Sequence, residues 1–193
     1  MNTIKKTNRD KVIEIAARLF LEKGYHLTSM DEVVHVSGIS KSNIYYHFKN
    51  KEELAIGVIK WRISLLEQHI DELVRSKKSY KEKLNKMVAL ISNQECLDHD
   101  KGGCPFISLY LQAAQQSPRI HTVIKNFFLE QVPVVEEILQ SGIAQKQITK
   151  AIDVRKTAKL IISTLEGALL LSEITADQHY MDDSLQTLTA LLD

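Results

Sequence analysis

Apolar residues recur along this chain at intervals of three and four, not at two. Val12, Ala16, Leu19 and Phe20 stand at i, i+4, i+7 and i+8, with Ile15 close by, which is the single buried face of an amphipathic helix. Thr7 or Asn8 is placed to cap that helix. Gly24 is placed to end it, because glycine takes a left-handed conformation without a clash. A second helix is expected from Ser29, where Ser29 and Glu32 have capping-box spacing. Met30, Val33, Val34 and Ser37 share its inner face, and Gly38 stops it after about two turns. Ser40 is positioned to cap a third helix, with Ile44 and Phe48 four apart on its inner side. Asn50 precedes a fourth, with Glu52 and Glu53 in the first turn, where acids suit the helix dipole.

Beyond residue 50 the helices lengthen. One is expected over about 51–76, with Leu54, Val58, Trp61 and Leu65 in register, and another over 80–95. After a loop containing Asp98, Asp100, Gly102 and Gly103, a helix is expected over 104–116. Ser117-Pro118 restarts the chain into a helix reaching about 141–142, which Pro133 should kink or interrupt. Asp153 caps an apolar helix to about 175, and a last helix covers 182–192. No segment alternates like a strand. The pattern is all-α with about nine helices, and it divides into 1–50, with three short helices, and 51–193, with longer ones.

Composition sharpens this only slightly. At 44% hydrophobic and 25% charged, a chain of 193 residues can build a core and stay soluble. The net charge is +1, although residues 1–60 hold ten Lys and Arg against seven Asp and Glu. So mild an excess does not by itself name nucleic acid as a partner. The Lys5-Lys6 start leads into a mixed helix and not an apolar signal segment. No apolar run approaches the ~18–20 residues of a membrane span. Two cysteines suit a reducing cytoplasm.

The chemistry concentrates between Thr28 and Leu54. Short helix, glycine turn, short helix is the organisation of a helix-turn-helix. Ile44 and Phe48 would mount the second of these helices stiffly. Lys41, Ser42 and Asn43 would then sit at the end that enters a major groove, where Lys pairs with guanine acceptors, Asn with an adenine edge and Ser with several partners. Tyr45, Tyr46 and His47 can donate to phosphates. Lys51 adds a cation at the start of the next helix. The expected partner is double-stranded DNA.

These residues closely resemble the TetR/AcrR family of transcriptional regulators. The match is carried by Thr28-Ser29, Val33-Val34, Gly38-Ile39-Ser40-Lys41, Ile44-Tyr45-Tyr46-His47-Phe48 and Lys49-Asn50-Lys51-Glu52-Glu53-Leu54, with Ala16, Leu19, Phe20 and Gly24-Tyr25 before them. It is strong over residues 8–60, and beyond them only the helical layout agrees. The resemblance implies a DNA-binding domain over 1–50 and a helical ligand-binding and dimerisation domain over 51–193. It implies DNA contacts from Ser29, Lys41, Ser42, Asn43, Tyr45, Tyr46, His47 and Lys51. It also implies a homodimeric repressor released from a palindromic operator by a small-molecule effector. Asn43 stands where many relatives have a small residue. Lys5 and Lys6 read as a solvated tail or as a basic arm reaching the DNA.

The longer helices offer candidates for the effector pocket: Trp61, Phe106, Tyr110, Phe127 and Phe128, together with Cys104 and His69. Gln112 and His121 are further polar groups able to orient a ligand. Cys104 opens an expected helix, a place where a thiol is activated, so a redox or electrophile-sensing repressor is the alternative function. Cys96, His99 and Cys104 match no standard zinc spacing, and neither metal nor cofactor is expected. The helix after Asp153 is apolar on nearly all sides. Ile162, Leu165 and Leu169, with Leu185, Leu188 and Leu192 of the last helix, are the expected dimer interface. No nucleophile elbow, phosphate loop or zinc-protease motif is present, so no enzyme activity is expected.

Overall fold

A computed structural model describes residues 6–92, 103–177 and 179–192. Its helices are α1 (Asn8–Glu22), α2 (Met30–Ser37), α3 (Lys41–His47), α4 (Lys51–Arg75), α5 (Tyr80–Ser92), α6 (Pro105–Leu109), α7 (Pro118–Ala144), α8 (Val154–Thr175) and α9 (His179–Leu192). A π-helical turn, Tyr110–Ala114, follows α6 directly. Among the described residues there is no strand.

The caps explain where the first helices start. Thr7 closes a full capping box with Asp10 on α1. At α2 only half of the expected box forms. The Ser29 hydroxyl accepts from the Glu32 amide, but the Glu32 carboxylate pairs with Lys23 instead of reaching back. Ser40 caps α3, the Asn50 side chain accepts from the Glu53 amide, and Asp153 caps α8. Gly38 ends α2 in the left-handed region at φ 65°.

The chain forms two compact units, Met1–Ser64 with Pro105–Lys125, and Leu65–Cys104 with Asn126–Asp193. These do not follow the linear division at residue 50, because α6, the π turn and the start of α7 belong to the first unit. In that unit α1 buries Val12, Ile13, Ala16, Leu19 and Phe20, and α1, α2 and α3 pack mutually. Ile44 is fully buried, and Phe48 sits beside Ile13 against Gly57 of α4. The Arg9 guanidinium lies over the Phe48 ring at 5.5 Å. In the second unit Tyr80, Leu84, Met87, Ile138, Leu139, Ile161 and Leu165 form the core, with α8 packed along α9.

Several expectations need correction. The helix expected over 104–116 is five residues of α-helix followed by the π turn. Pro133 does not interrupt α7. It lies on the exposed side, where the carbonyl one turn earlier can be hydrated, while Val132, Val135, Ile138 and Leu139 hold the opposite side in the core. The expected dimer residues face inward. Leu165, Leu185, Leu188 and Leu192 are buried in the chain's own core, and Ile162 and Leu169 pack against it half-buried. On α8 and α9 the large apolar residues left exposed are Leu160, Leu170, Leu171 and Ile174 of the former and Leu191 of the latter.

A methyl group at Gly57 would lie 2.9 Å from the Phe48 ring, which is itself buried. Gly57→Ala should therefore destabilise the protein. Overpacking of this kind costs about 1–3 kcal/mol, more than the roughly 1 kcal/mol that alanine gains over glycine in a helix. A lowered midpoint of urea unfolding checks this.

Candidate nucleic-acid interface

The second helix of the helix-turn-helix, α3, is only seven residues long. A helix so short is not stable on propensity alone and must be held by packing. Ile44 and the C-cap residue Phe48 supply that, at 0% and 3% exposure. Their burial fixes which residues face out. Lys41, Ser42, Tyr45 and Tyr46 are exposed, Tyr46 to 82%, whereas Asn43 and His47 are half-buried. Tyr46 and His47 meet edge to face at 5.0 Å, and the Ser42 hydroxyl lies 3.3 Å from that of Ser40. Ser29 is exposed at the start of α2. The eight expected contact residues thus fall on α2, α3 and the start of α4 within the first compact unit.

Charge on this face is tethered. Lys41 Nζ lies 2.8 Å from Asp31 Oδ1 of α2 and 5.7 Å from the Tyr45 ring centroid. The Asp31 hydrogen bond and charge hold the Lys41 ammonium above its ordinary pKa. Lys51 departs further from expectation. Its Nζ donates to the carbonyls of Tyr25 at 2.9 Å and His26 at 3.3 Å, and sits 4.5 Å from the centre of the Tyr25 ring. Burial pushes its pKa down. Lys51 therefore braces the turn between α1 and α2 and is not an open cation. Asn43 also differs: its Oδ1 is shielded from solvent and has no hydrogen-bond partner, so its acceptor does not face outward.

The turn that Lys51 braces is held from two more directions. Thr28, 1% exposed, donates from Oγ1 to the carbonyls of Leu19 and Gly24. Gln112 of the π turn accepts from the Tyr25 amide at 2.6 Å. Thr28 had a sequence signal as a helix start, but nothing in the sequence links Gln112 to Tyr25 across 87 positions. Nearby, Glu52 at the start of α4 accepts from the Ser117 hydroxyl at 2.5 Å and from Arg119 at 3.0 Å. A cleft of about 390 Å³ opens beside them, lined by Ile56, Lys60, Pro118, Arg119, Thr122 and Val123.

None of the seven expected pocket residues lines that cleft. Trp61, Phe106 and Tyr110 belong to the first unit, and His69, Cys104, Phe127 and Phe128 to the second. Phe106, Phe127 and Cys104 are buried, Trp61 and Phe128 half-buried, and Tyr110 is exposed with its ring 5.7 Å from His121. His69 is exposed and turns Nδ1 to the Leu65 carbonyl, so it lines no enclosed space. Cys104 is 7% exposed and hydrogen-bonds the Glu166 carboxyl, whose pKa burial raises. Lys5, Cys96, Asp98, His99, Asp100 and Gly102 lie outside the described residues. Among the described residues no group of three His, Cys, Asp or Glu gathers as a metal site.

Comparison with known proteins bears on this arrangement. Residues 12–58 match the model of bacterial regulatory proteins of the tetR family, and residues 81–188 match that of the tetracyclin repressor-like C-terminal domain. The fatty acid metabolism regulator protein of Bacillus subtilis is 24% identical over 170 residues, 88% of this chain and 85% of that protein. The transcriptional regulator QacR of Staphylococcus aureus is 43% identical over 51 residues, 26% of this chain and 27% of that protein. A TetR-family regulator from Cytophaga hutchinsonii superposes with a TM-score of 0.81 at 26% identity, covering 95% of this chain and 92% of that one. FadR of Bacillus subtilis in complex with stearoyl-CoA superposes with a TM-score of 0.72 at 22% identity, covering 94% and 96%.

Lys51→Met keeps the apolar stem but removes the ammonium from both carbonyls. It should lower stability by about 1–2 kcal/mol, the scale of charge-assisted hydrogen bonds discounted for partial exposure. Urea unfolding read from the Tyr25 region checks this. An unchanged midpoint would remove Lys51 as the brace.

Proposed function

The chain belongs to the tetR family of bacterial regulatory proteins and is a DNA-binding transcriptional regulator; we propose that it acts as a homodimeric repressor, released from a palindromic operator by a small-molecule effector. The observation that carries the DNA contacts is the exposed edge of α3, with Lys41, Ser42, Tyr45 and Tyr46 projecting from a helix mounted on buried Ile44 and Phe48. Ser29 adds a hydroxyl at the start of α2. Asn43 and His47 contribute after side-chain rotation. Lys51 contributes by holding the turn. The functional division proposed is a DNA-binding domain over 1–50 and an effector and dimerisation domain over 51–193. No described helix is long and apolar enough to cross a membrane, and we place the regulator in the cytoplasm with its DNA.

Two copies would pair through the outer face of α8. Leu160, Leu170, Leu171 and Ile174 are exposed there at near-heptad spacing, with Gly167 in the same row. An added Cβ at Gly167 would meet nothing within 4 Å, so the glycine fills no need of its own chain. In a helix it is less favourable than alanine, and close approach of a second helix supplies the compensation. A two-fold axis through this face suits a palindromic site.

For the effector we propose a fatty acyl compound, on the strength of the similarity to the fatty acid metabolism regulator over 88% of the chain. Binding to one of two conformations is sufficient for release, because only differential affinity shifts the equilibrium. The proposed lever is α4, which supplies residues to both compact units.

Selection of bound duplexes from random DNA tests the whole reading, with a palindrome expected. Tyr46→Ala should weaken binding to the selected duplex about fivefold or more at fixed salt, with the fold intact, since Tyr46 is 82% exposed. Enrichment of no sequence would sink the reading. A long-chain acyl-CoA added to the complex should release the DNA, and indifference to it would remove the acyl proposal alone.

Leu170→Asp combined with Ile174→Asp should convert a dimer of the 22.0 kDa chain to a monomer of unchanged helicity in sedimentation. Leu165→Asp, a core change, should instead unfold it. A wild-type monomer, or a double variant that stays dimeric, overturns the assigned face.

A further inference from the structure

We propose that Gln112 is a positioning residue for DNA binding, holding the α1–α2 turn in the conformation that reads DNA and releasing it when the π turn shifts register. This rests on the DNA-binding reading above and adds a named control point to it.

The contact is specific on both sides. Gln112 Oε1 accepts from the Tyr25 amide at 2.6 Å, and its Nε2 donates to the Ser108 hydroxyl at 3.1 Å. The Tyr25 N–H can only donate, so it selects the amide oxygen, and the Ser108 hydroxyl, able to accept, takes the amide N–H at the other end. Gly24 admits it: a Cβ there would lie 2.8 Å from Gln112 Oε1, and the backbone stands at φ +85°. The turn has left-handed backbone at Gly24 because the chain needs it, and the missing side chain leaves room for the glutamine.

The carrier of Gln112 is unusual. Tyr110–Ala114 is a π-helical turn, continuous with α6 and held on its inner side by buried Ala113 and Ala114. A π turn accommodates one residue more than an α-helix, and such turns concentrate at functional positions. Losing that extra residue from the turn moves the register by one position, a rotation of about 100°. Gln112 would then point away from Tyr25. Packed elements change between discrete arrangements, and not by continuous deformation, so this shift is a switch with two positions.

The consequence reaches the DNA-facing residues directly. Tyr25 and His26 offer their carbonyls to Lys51, and Thr28 and Ser29 lead into α2. The turn thus bears on both flanks of α3, through α2 before it and through Lys51 after it. Thr28 and Lys51 brace the turn from within Met1–Ser64. Gln112 reaches it from the other segment of the first unit, Pro105–Lys125.

The test uses the full chain and a duplex selected by the wild type from random DNA. If no duplex is selected, the DNA-binding reading fails and this inference falls with it. With a duplex in hand, Gln112→Met, which lacks an acceptor of this kind, should bind about tenfold more weakly at fixed salt, whereas Gln112→Glu, which keeps an acceptor oxygen, should stay within about threefold. Amide hydrogen exchange supplies a readout that needs no variant. If the Tyr25–Gln112 bond favours the DNA-reading state, reciprocity requires that duplex binding slow exchange of the wild-type Tyr25 amide. Wild-type affinity in Gln112→Met overturns the proposal. So does Tyr25 exchange that is indifferent to DNA, which decides the matter even if Gln112→Met does not fold.

Discussion

Everything at the DNA-facing end depends on anchoring a helix too short to hold itself. Seven residues make barely two turns, and α3 keeps its form because Ile44 and Phe48 are buried, Phe48 against Gly57 of α4. That single constraint sorts the rest. With positions 44 and 48 inward, positions 42 and 46 fall on the opposite side of the helix, and 41 and 45 are exposed at its edge. Gly57 on α4 makes room for the Phe48 ring, and Arg9 lies over its other face. The proposed DNA contacts lie among the exposed side chains, but their geometry is set by two buried ones, Ile44 and Phe48.

The charges around this mount do two kinds of work. Lys23 pairs with Glu32, Lys41 with Asp31, and Lys51 with backbone carbonyls. These three cations are thus paired within the chain, which reduces their mutual repulsion. Under the proposed contact, DNA would compete with Asp31 for Lys41, and part of the electrostatic gain would be offset by the lost ion pair. Lys51 is different because its partners are carbonyls of the chain and not a carboxylate. Its role is to fix the α1–α2 turn, and a loss there would reach DNA binding only indirectly.

What the sequence disclosed follows physical range. Caps at Thr7, Ser29, Ser40 and Asp153, and the glycine stops at 24 and 38, are settled within a few residues and were legible as such. So was the inward pair Ile44 and Phe48, because helical periodicity is local. Pro133 left open whether α7 would kink or break, since its effect depends on which side of α7 faces solvent, and the helix runs on through it. The π turn left no trace in periodicity, although Leu109, Ala113 and Ala114 along it are buried. Tyr25–Gln112 and Glu52–Ser117 join residues 87 and 65 positions apart, beyond the reach of spacing.

The apolar helix α8 shows why composition and face must be separated. An all-round apolar helix implies burial on all sides, but it does not say which side belongs to which partner. Ala158, Ile161, Leu165 and Ala168 meet the chain's own core, together with the inward leucines of α9. Leu160, Leu170, Leu171 and Ile174 remain on the outside, each more than 40% exposed. Choosing the most regular leucine series for a partner selected the intramolecular face, because regularity measures only fit to a helix repeat. The outer row, interrupted by Ser163, Thr164 and Gly167, is less regular and less bulky. Small residues in such a row weaken it as a core stripe but favour it as a place where two helices approach closely. The proposed subunit contact therefore lies on the side of α8 that looks poorer as a hydrophobic pattern.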